Sequence, residues 1–483
     1  MKQYTFSRAP LSVIAAAGLL PLLLLVTPVP ERSEALIMAA AFALLGGLVL
    51  FFASGHIKQP SVLLFFIGAL AAGMVIRTLS LTQSSNTDYI YCLQPWAQDF
   101  RDNGWQAIVN TWSDYNVPYL YIIGVIARIP VNDLYLYKLV SVIFDCGIVA
   151  AGLRLAQVFS LSGLRKSVLG SALFLAPTVW LNSSFWGQCD SIYAFFCLVS
   201  LVLILENRPV LSVSMAAVAF SFKLQTIFFL PIFIVLWMIK RVKWWREIPA
   251  FAGTFLITIL PAWLLGRSPA SILQIYGNQT QTYASRLNLN SPSAYALLEV
   301  NEPHTILFGA GLLLAFCYLG ALLLIAWLKR GHIGDRALFF FVLAMVIGIP
   351  WLLPSMHDRY FYLADLFCIF LAVLIPAKWY FAPFCVFASY AGYHAFLFGR
   401  YINHAGLAGP SLLMLFLLGG SVILLLSELR RANPYEYRKT AVYRDSGAGR
   451  DDGGLIRHAA QQTGSPYEHD GPDAGGAAGD GTA

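Results

Sequence analysis

Between residues 11 and 428 the chain passes through one long apolar run after another, separated by short polar or basic turns. Most of these runs approach the roughly 20 residues that a helix needs to cross about 30 Å of hydrocarbon. Inside lipid every backbone N–H and C=O must be paired internally, which leaves helices and closed barrels as the spanning structures. Barrel strands alternate polar and apolar residues, and these runs do not. The expected fold is therefore all-α, a polytopic transmembrane helix bundle. Composition agrees: charged residues are 12% of the 483-residue chain and hydrophobic residues 58%, where a soluble domain carries about a quarter charged.

The runs fall at 11–30, 35–54, 61–81, 134–153, 167–185, 190–206, 209–222, 224–239, 248–265, 305–328, 337–353, 360–376, 380–398 and 408–428. Residues 117–130 (VPYLYIIGVIARIP) are too short to span comfortably, so a kinked or re-entrant half-helix is expected there. The total is about 12–14 helices. Residues 11–30 follow Lys2 and Arg8 as a secretory signal would. Their length, the lack of a small-residue cleavage site and the span that follows make them a first transmembrane helix.

Basic residues cluster between alternate runs, at His56 and Lys58, Arg154 to Lys166, Arg208, Lys240 to Arg246, Lys329 to Arg336, and Arg430–Arg431. The positive-inside rule places those turns on the cytoplasmic side of the membrane, with both termini cytoplasmic. The net charge of +7 then reflects topology rather than nucleic acid as a partner. Three regions follow: N-terminal helices at 1–60, a bundle at 61–430 with its first extracytoplasmic loop at 82–118, and a Gly/Asp/Ala/Arg-rich cytoplasmic tail at 431–483, expected to be disordered. The seven cysteines are scattered without metal-ligand spacing and read as core residues.

The long polar loop opens with Thr87-Asp88-Tyr89. Within it Trp96, Phe100, Trp105, Ile108, Val109 and Trp112 recur at helical spacing, as in an interfacial helix or one packed on the bundle. This topology brings four polar groups to the extracytoplasmic side: Asp88 with Asp114, Gln188 and Asp190 in WGQCD, Lys223 with Gln225, and His357-Asp358-Arg359-Tyr360. Charges at the edge of apolar segments are costly, about 2.5–3.5 kcal/mol each at a helix centre, and persist where they face a cavity with partners. The plainer readings are a helix cap or solvated acid for Asp88, a cap for Asp190, a snorkelling Lys223 and a topological anchor for HDRY.

An acid, a group of cations and a membrane-level cleft suit sugar transfer from a polyprenyl-phosphate sugar. Lys and Arg would stabilise the lipid-phosphate leaving group, and a carboxylate would take the acceptor hydroxyl's proton. No nucleotide motif is present, in keeping with a face that lacks nucleotide sugars. A transporter or flippase of lipid-linked saccharides, and a polysaccharide polymerase or ligase, are the competing readings. The patterns TDY…PW…DFRDNGW…SDYNVPYLY, WGQCD, KLQTIFFLP and MHDRYFYLAD resemble the GT-C superfamily of integral-membrane glycosyltransferases, in particular bacterial proteins related to the GPI-anchor mannosyltransferases. The resemblance covers about residues 61–376. It implies an inverting hexosyl transfer with mannose favoured, Asp88 as general base, and Lys223, Gln225, His357 and Arg359 near the donor phosphate. Asp114, Gln188, Asp190, Asp358 and Tyr360 are expected to complete the substrate site. The implied partners are a polyprenyl-phosphate sugar, a glycolipid, glycan or protein acceptor, and membrane lipid. A metal-free site is expected, although Asp88 and Asp190 could ligate a divalent cation. Two differences from the family pattern stand out: HDRY in place of the commoner HERY, and two apolar helices before the Asp88-bearing unit.

Overall fold

The structure is a computed structural model that describes residues 8–83, 88–110, 113–283, 286–298, 301–302, 304–402, 404 and 406–431. Thr87, Trp112 and the tail beyond residue 431 lie outside the described residues. The described chain is almost wholly helical. Helices α1 (Arg8–Val26), α2 (Arg32–His56) and α3 (Pro60–Leu79) come first. The loop after them holds a π-turn (Tyr89–Leu93), α4 (Gln94–Asn103) and the single turn α5 (Ala107–Asn110). Then follow α6 (Val117–Ile126), α7 (Asp133–Val158), α8 (Gly163–Leu175), α9 (Pro177–Trp180), α10 (Asp190–Leu205), α11 (Pro209–Phe222), α12 (Ile232–Met238) and α13 (Trp244–Leu264). The remaining helices are α14 (Pro269–Tyr283), α15 (Thr305–Leu328), α16 (Asp335–Leu352), α17 (Tyr362–Leu374), α18 (Phe381–Phe398) and α19 (Ala408–Arg431).

Nine described helices are long and apolar enough to cross a membrane, or ten if the bent unit of α8 and Pro177–Trp186 is one span. The 44° bend falls at Pro177, which has no N–H to continue the ladder and whose ring crowds the preceding turn. Shorter apolar helices, among them α10, α11 and α17, fill out the bundle. The protein is a multi-pass integral membrane protein. The expected half-helix is α6, ten residues long and about 15 Å at 1.5 Å per residue. Asn116 caps it by accepting a hydrogen bond from the Val117 N–H. In α4 the aromatic face is turned into the protein: Trp96 and Phe100 are buried, and Ile108 beyond it is buried too. Packing on the bundle, one of two compatible readings of this stretch, is seen.

Two buried cations set the frame for the loop. Lys138, near the start of α7, donates to the carbonyls of Ser80 (2.8 Å), Leu81 (2.8 Å) and Gln83 (2.5 Å), so all three ammonium protons are used at the end of α3. About two turns deeper, Arg77 of α3 donates twice to Asp145 Oδ2 of α7, at 2.8 and 3.0 Å. Arg77 also donates to the Phe174 carbonyl at 2.9 Å and stacks on that residue's ring, while Ser183 donates to Asp145 at 2.5 Å. The pair is fully buried and locks α3, α7 and α8 together. Uncommon polar groups are thus not confined to one end of the bundle; Arg77, Asp145 and Asp365 lie within the packed helices, where partners inside the protein offset the cost.

Candidate active site

Asp88 opens the π-turn that leads into α4. Its Oδ2 accepts from Gln188 Nε2 at 2.5 Å and Trp186 Nε1 at 3.0 Å. Both donors come from the turn before α10. Gly187 between them has φ +82°, the left-handed region a glycine enters without strain, and this lets neighbours on either side aim at one oxygen. Gln188 is itself fixed: its Oε1 accepts from the Tyr115 hydroxyl at 2.8 Å and its carbonyl from Ser141 at 2.6 Å. No hydrogen bond is made by Asp88 Oδ1 among the described residues.

Asp190, the first residue of α10, is a charge organiser rather than a helix cap. Oδ1 accepts from Lys223 Nζ at 2.6 Å. Oδ2 accepts from Asn182 at 2.8 Å and stands 3.8 Å from Arg359 Nε. Asn182 also donates to the Tyr393 hydroxyl at 3.1 Å. Lys223 can reach this buried acid because the chain turns extended there (φ −146°, ψ 137°), ending α11. Its ammonium also lies 5.4 Å from the centre of the Tyr115 ring. Arg359 lies over the Trp186 ring at 5.1 Å and 3.6 Å from Asp358 Oδ1. The contacts of Arg359 to both carboxylates exceed normal hydrogen-bond lengths, and its Nε has no acceptor among the described residues.

A second segment holds the HDRY turn in place. Asn288–Leu289 pairs in parallel with Met356–His357. Around that pairing Ser355 N donates to Leu287 O at 2.8 Å and Asp358 N to Leu289 O at 3.0 Å. Gly392 of α18 passes so close that an added Cβ would sit 2.5 Å from Asn290 O and 3.3 Å from Asp358 Cα. The loop at 286–298 is therefore a strap across the site's late motif.

The cavity between these elements holds about 60 Å³. Asp88, Asp114, Tyr115, Gln188, Lys223, Gln225, Arg359 and Tyr360 line its polar part, and Cys92, Leu93 and Trp96 its apolar wall. Seven of the ten expected site residues line this cavity. The other three are set back: Asp190 behind Lys223, Asp358 fully buried, and His357 beside Tyr360 with ring centres 5.2 Å apart. Burial, and then the charges of Arg359 and Lys223, hold the His357 imidazole well below its usual range. Burial pushes the Asp358 carboxyl up to about 7, with Asp88 and Asp190 adding to the rise and Arg359 opposing it. Four carboxyl groups therefore meet two cations, and the neutral form of Asp358 eases that imbalance.

Trp186, Tyr115, Asn182 and Tyr393 were not singled out in the sequence. Trp186 and Tyr115 stood within the recognised patterns as aromatic letters, whereas nothing local marks Asn182 or Tyr393. Among the described residues no cluster of three or more His, Cys, Asp or Glu side chains could hold a metal ion. No family model, curated protein or solved structure matches the chain.

Proposed function

We propose that this protein is an integral-membrane glycosyltransferase that moves a hexose from a polyprenyl-phosphate sugar to an acceptor hydroxyl. The observation that carries the reading is the arrangement around Asp88. One oxygen is held by Trp186 and Gln188, and the residue lines a cavity that Lys223 and Arg359 also line. A carboxylate oriented by two donors is pre-organised to accept a proton without reorienting. Asp88 takes the proton of the acceptor hydroxyl as its oxygen bonds to C1 of the sugar. The C1–O bond to the lipid phosphate breaks, its electron pair goes to the phosphate, and attack opposite the leaving group inverts C1. Lys223 and Arg359 offset the charge released there. Arg359, with loose carboxylate contacts, has donors to spare for a phosphate.

Mannose is the favoured hexose on the family resemblance. The distribution of cations supports an extracytoplasmic site. The ion pairs Arg154–Glu206, Arg241–Asp335 and Arg336–Glu428 mark the other end of the bundle, where the basic turns cluster. The flippase and polymerase readings gain no specific observation.

The test is reconstitution of the purified protein in lipid vesicles with polyprenyl-phosphate [14C]mannose or [14C]glucose. The expected result is time-dependent release of free polyprenyl phosphate with label in a new product when membrane extract supplies acceptors. Donor that stays intact, or that crosses the bilayer unchanged, refutes the reading.

A further inference from the structure

Tyr115 stands between the two halves of the candidate site. It follows the buried Ser113, whose hydroxyl accepts from the Tyr115 N–H at 2.9 Å and donates to the Tyr115 carbonyl at 3.0 Å. Asn116, the next residue, caps α6. The Ser113 clamp and the start of the half-helix thus fix where this side chain begins. Its ring meets Trp96 edge-on, with centres 5.8 Å apart, and is tilted against Tyr119 at 4.9 Å. A rigid ring held on both sides presents its polar tip and its face in set directions.

The hydroxyl acts on the base. Gln188 could offer either end of its amide to Asp88, since the oxygen and nitrogen ends have nearly the same shape. Its nitrogen donates to Asp88 Oδ2, where its oxygen would instead repel the carboxylate. The backbone of Gln188 is tied to Ser141 through its carbonyl and to Asn182 O through its N–H, so the choice is left to the side chain. Among the described residues its Oε1 accepts from one donor, the Tyr115 hydroxyl at 2.8 Å. Burial pushes the Tyr115 phenol well above its usual range, so the hydroxyl keeps its proton at neutral pH. A bond to the amide oxygen also polarises the amide, which strengthens the N–H bond to Asp88.

The ring acts on the cation. Lys223 Nζ lies over it, 5.4 Å from its centre, within the distance at which a ring face attracts an ammonium. Asp190 supplies the counter-charge at 2.6 Å, and the ring adds an uncharged contact.

We propose that Tyr115 is the positioning residue of this site: its hydroxyl fixes which end of the Gln188 amide meets Asp88, and its ring seats Lys223. The assignment rests on the transferase reading above. Two chemically separate parts of one side chain serve two steps, proton removal and binding of the donor phosphate.

The test is steady-state transfer from polyprenyl-phosphate [14C]mannose or [14C]glucose by the full-length protein in vesicles, at varied donor concentration. Tyr115→Phe keeps the ring and removes the hydroxyl. The expected result is a kcat about tenfold lower, the factor that one hydrogen bond of ordinary strength represents, with donor KM within about twofold of wild type. Tyr115→Leu removes the ring too, and donor KM should then rise about threefold or more as well. Gln188→Met leaves the hydroxyl nothing to orient, so adding Tyr115→Phe to it should lower kcat by no more than about twofold further. A kcat within about twofold of wild type in Tyr115→Phe overturns the assignment, as does a loss that multiplies with that of Gln188→Met. So does a rise in donor KM in Tyr115→Phe as large as the fall in kcat, which makes the hydroxyl a direct ligand of the donor. In each of these cases the wild type still transfers sugar and the transferase reading stands. Absence of transfer by the wild type from either donor overturns that reading and the assignment together.

Discussion

Asp88→Asn separates a catalytic carboxylate from one that only holds a turn together. Asp88 accepts two hydrogen bonds, from Gln188 at 2.5 Å and Trp186 at 3.0 Å, and an asparagine oxygen at the same place can accept both. What is lost in the fold is the charge on the acceptor. A bond to a charged group contributes about 1.5–3 kcal/mol and a neutral one about 0.5–1.5, so two bonds lose about 2–3 kcal/mol together. The side chain keeps its volume and leaves no cavity. The chemical loss is of another order: an amide cannot take the acceptor's proton, and general-base catalysis is worth about 10²–10⁴-fold. The assay pairs initial rates of transfer from polyprenyl-phosphate [14C]mannose or glucose, per folded protein in vesicles, with thermal unfolding of the same preparation. The expected outcome is a variant that unfolds modestly earlier and transfers at least about a hundredfold more slowly, with donor affinity little changed. Transfer within about threefold of wild type refutes Asp88 as the base. So would a loss of rate that tracks the loss of folded protein.

Three further outcomes are expected. Asp190→Asn leaves the buried Lys223 without its counter-charge and should destabilise by about 3–5 kcal/mol. The double change Asp190→Asn with Lys223→Met should regain much of that stability in denaturant unfolding while transfer stays lost. Gly392→Ala forces the strap away from Asn290 O, at 2.5 Å from the added Cβ, and should cost about 1–3 kcal/mol while raising KM for the donor more than it lowers kcat, measured by steady-state kinetics. The buried Asp358 binds its proton more tightly folded than unfolded, since its pKa rises from 3.8 to about 7. Its contribution to stability is therefore fully present below about pH 4 and is lost as pH rises through about 7. Chemical unfolding of Asp358→Asn across this window should show a shallower decline than wild type; an unchanged slope would falsify the assignment.

Fold class could be read in the sequence because lipid permits so little. A run of apolar residues long enough to cross hydrocarbon has essentially one way to pair its backbone, so the spans at 35–54, 61–81 and 305–328 were legible from length alone. The half-helix at 117–126 was legible for the converse reason, being too short to cross. The segments Asp88, WGQCD, Lys223 and HDRY could also be placed on one side, because alternation of spans fixes the side of each loop.

How those residues meet was decided by tertiary structure. Asp190 and Lys223 are 33 positions apart, and Asp190 and Arg359 far more, so no local pattern says that one acid organises both cations. Trp186 became a donor to Asp88 and a platform for Arg359 only through the turn at Gly187. Arg77 and Asp145 sit within apolar helices, and only their juxtaposition explains how either is tolerated. The sequence by itself determined that the chain is a bundle of membrane-spanning helices and which motif-bearing turns lie together, because hydrophobic length and charge asymmetry act on each segment independently; its expectation of about 12–14 helices exceeds the nine or ten described ones long enough to cross, because several apolar runs fold as shorter helices. Only the folded bundle decided which of those charges neutralise one another and which oxygen of Asp88 Trp186 and Gln188 hold, because ion pairing and burial depend on distances between helices that no single segment contains.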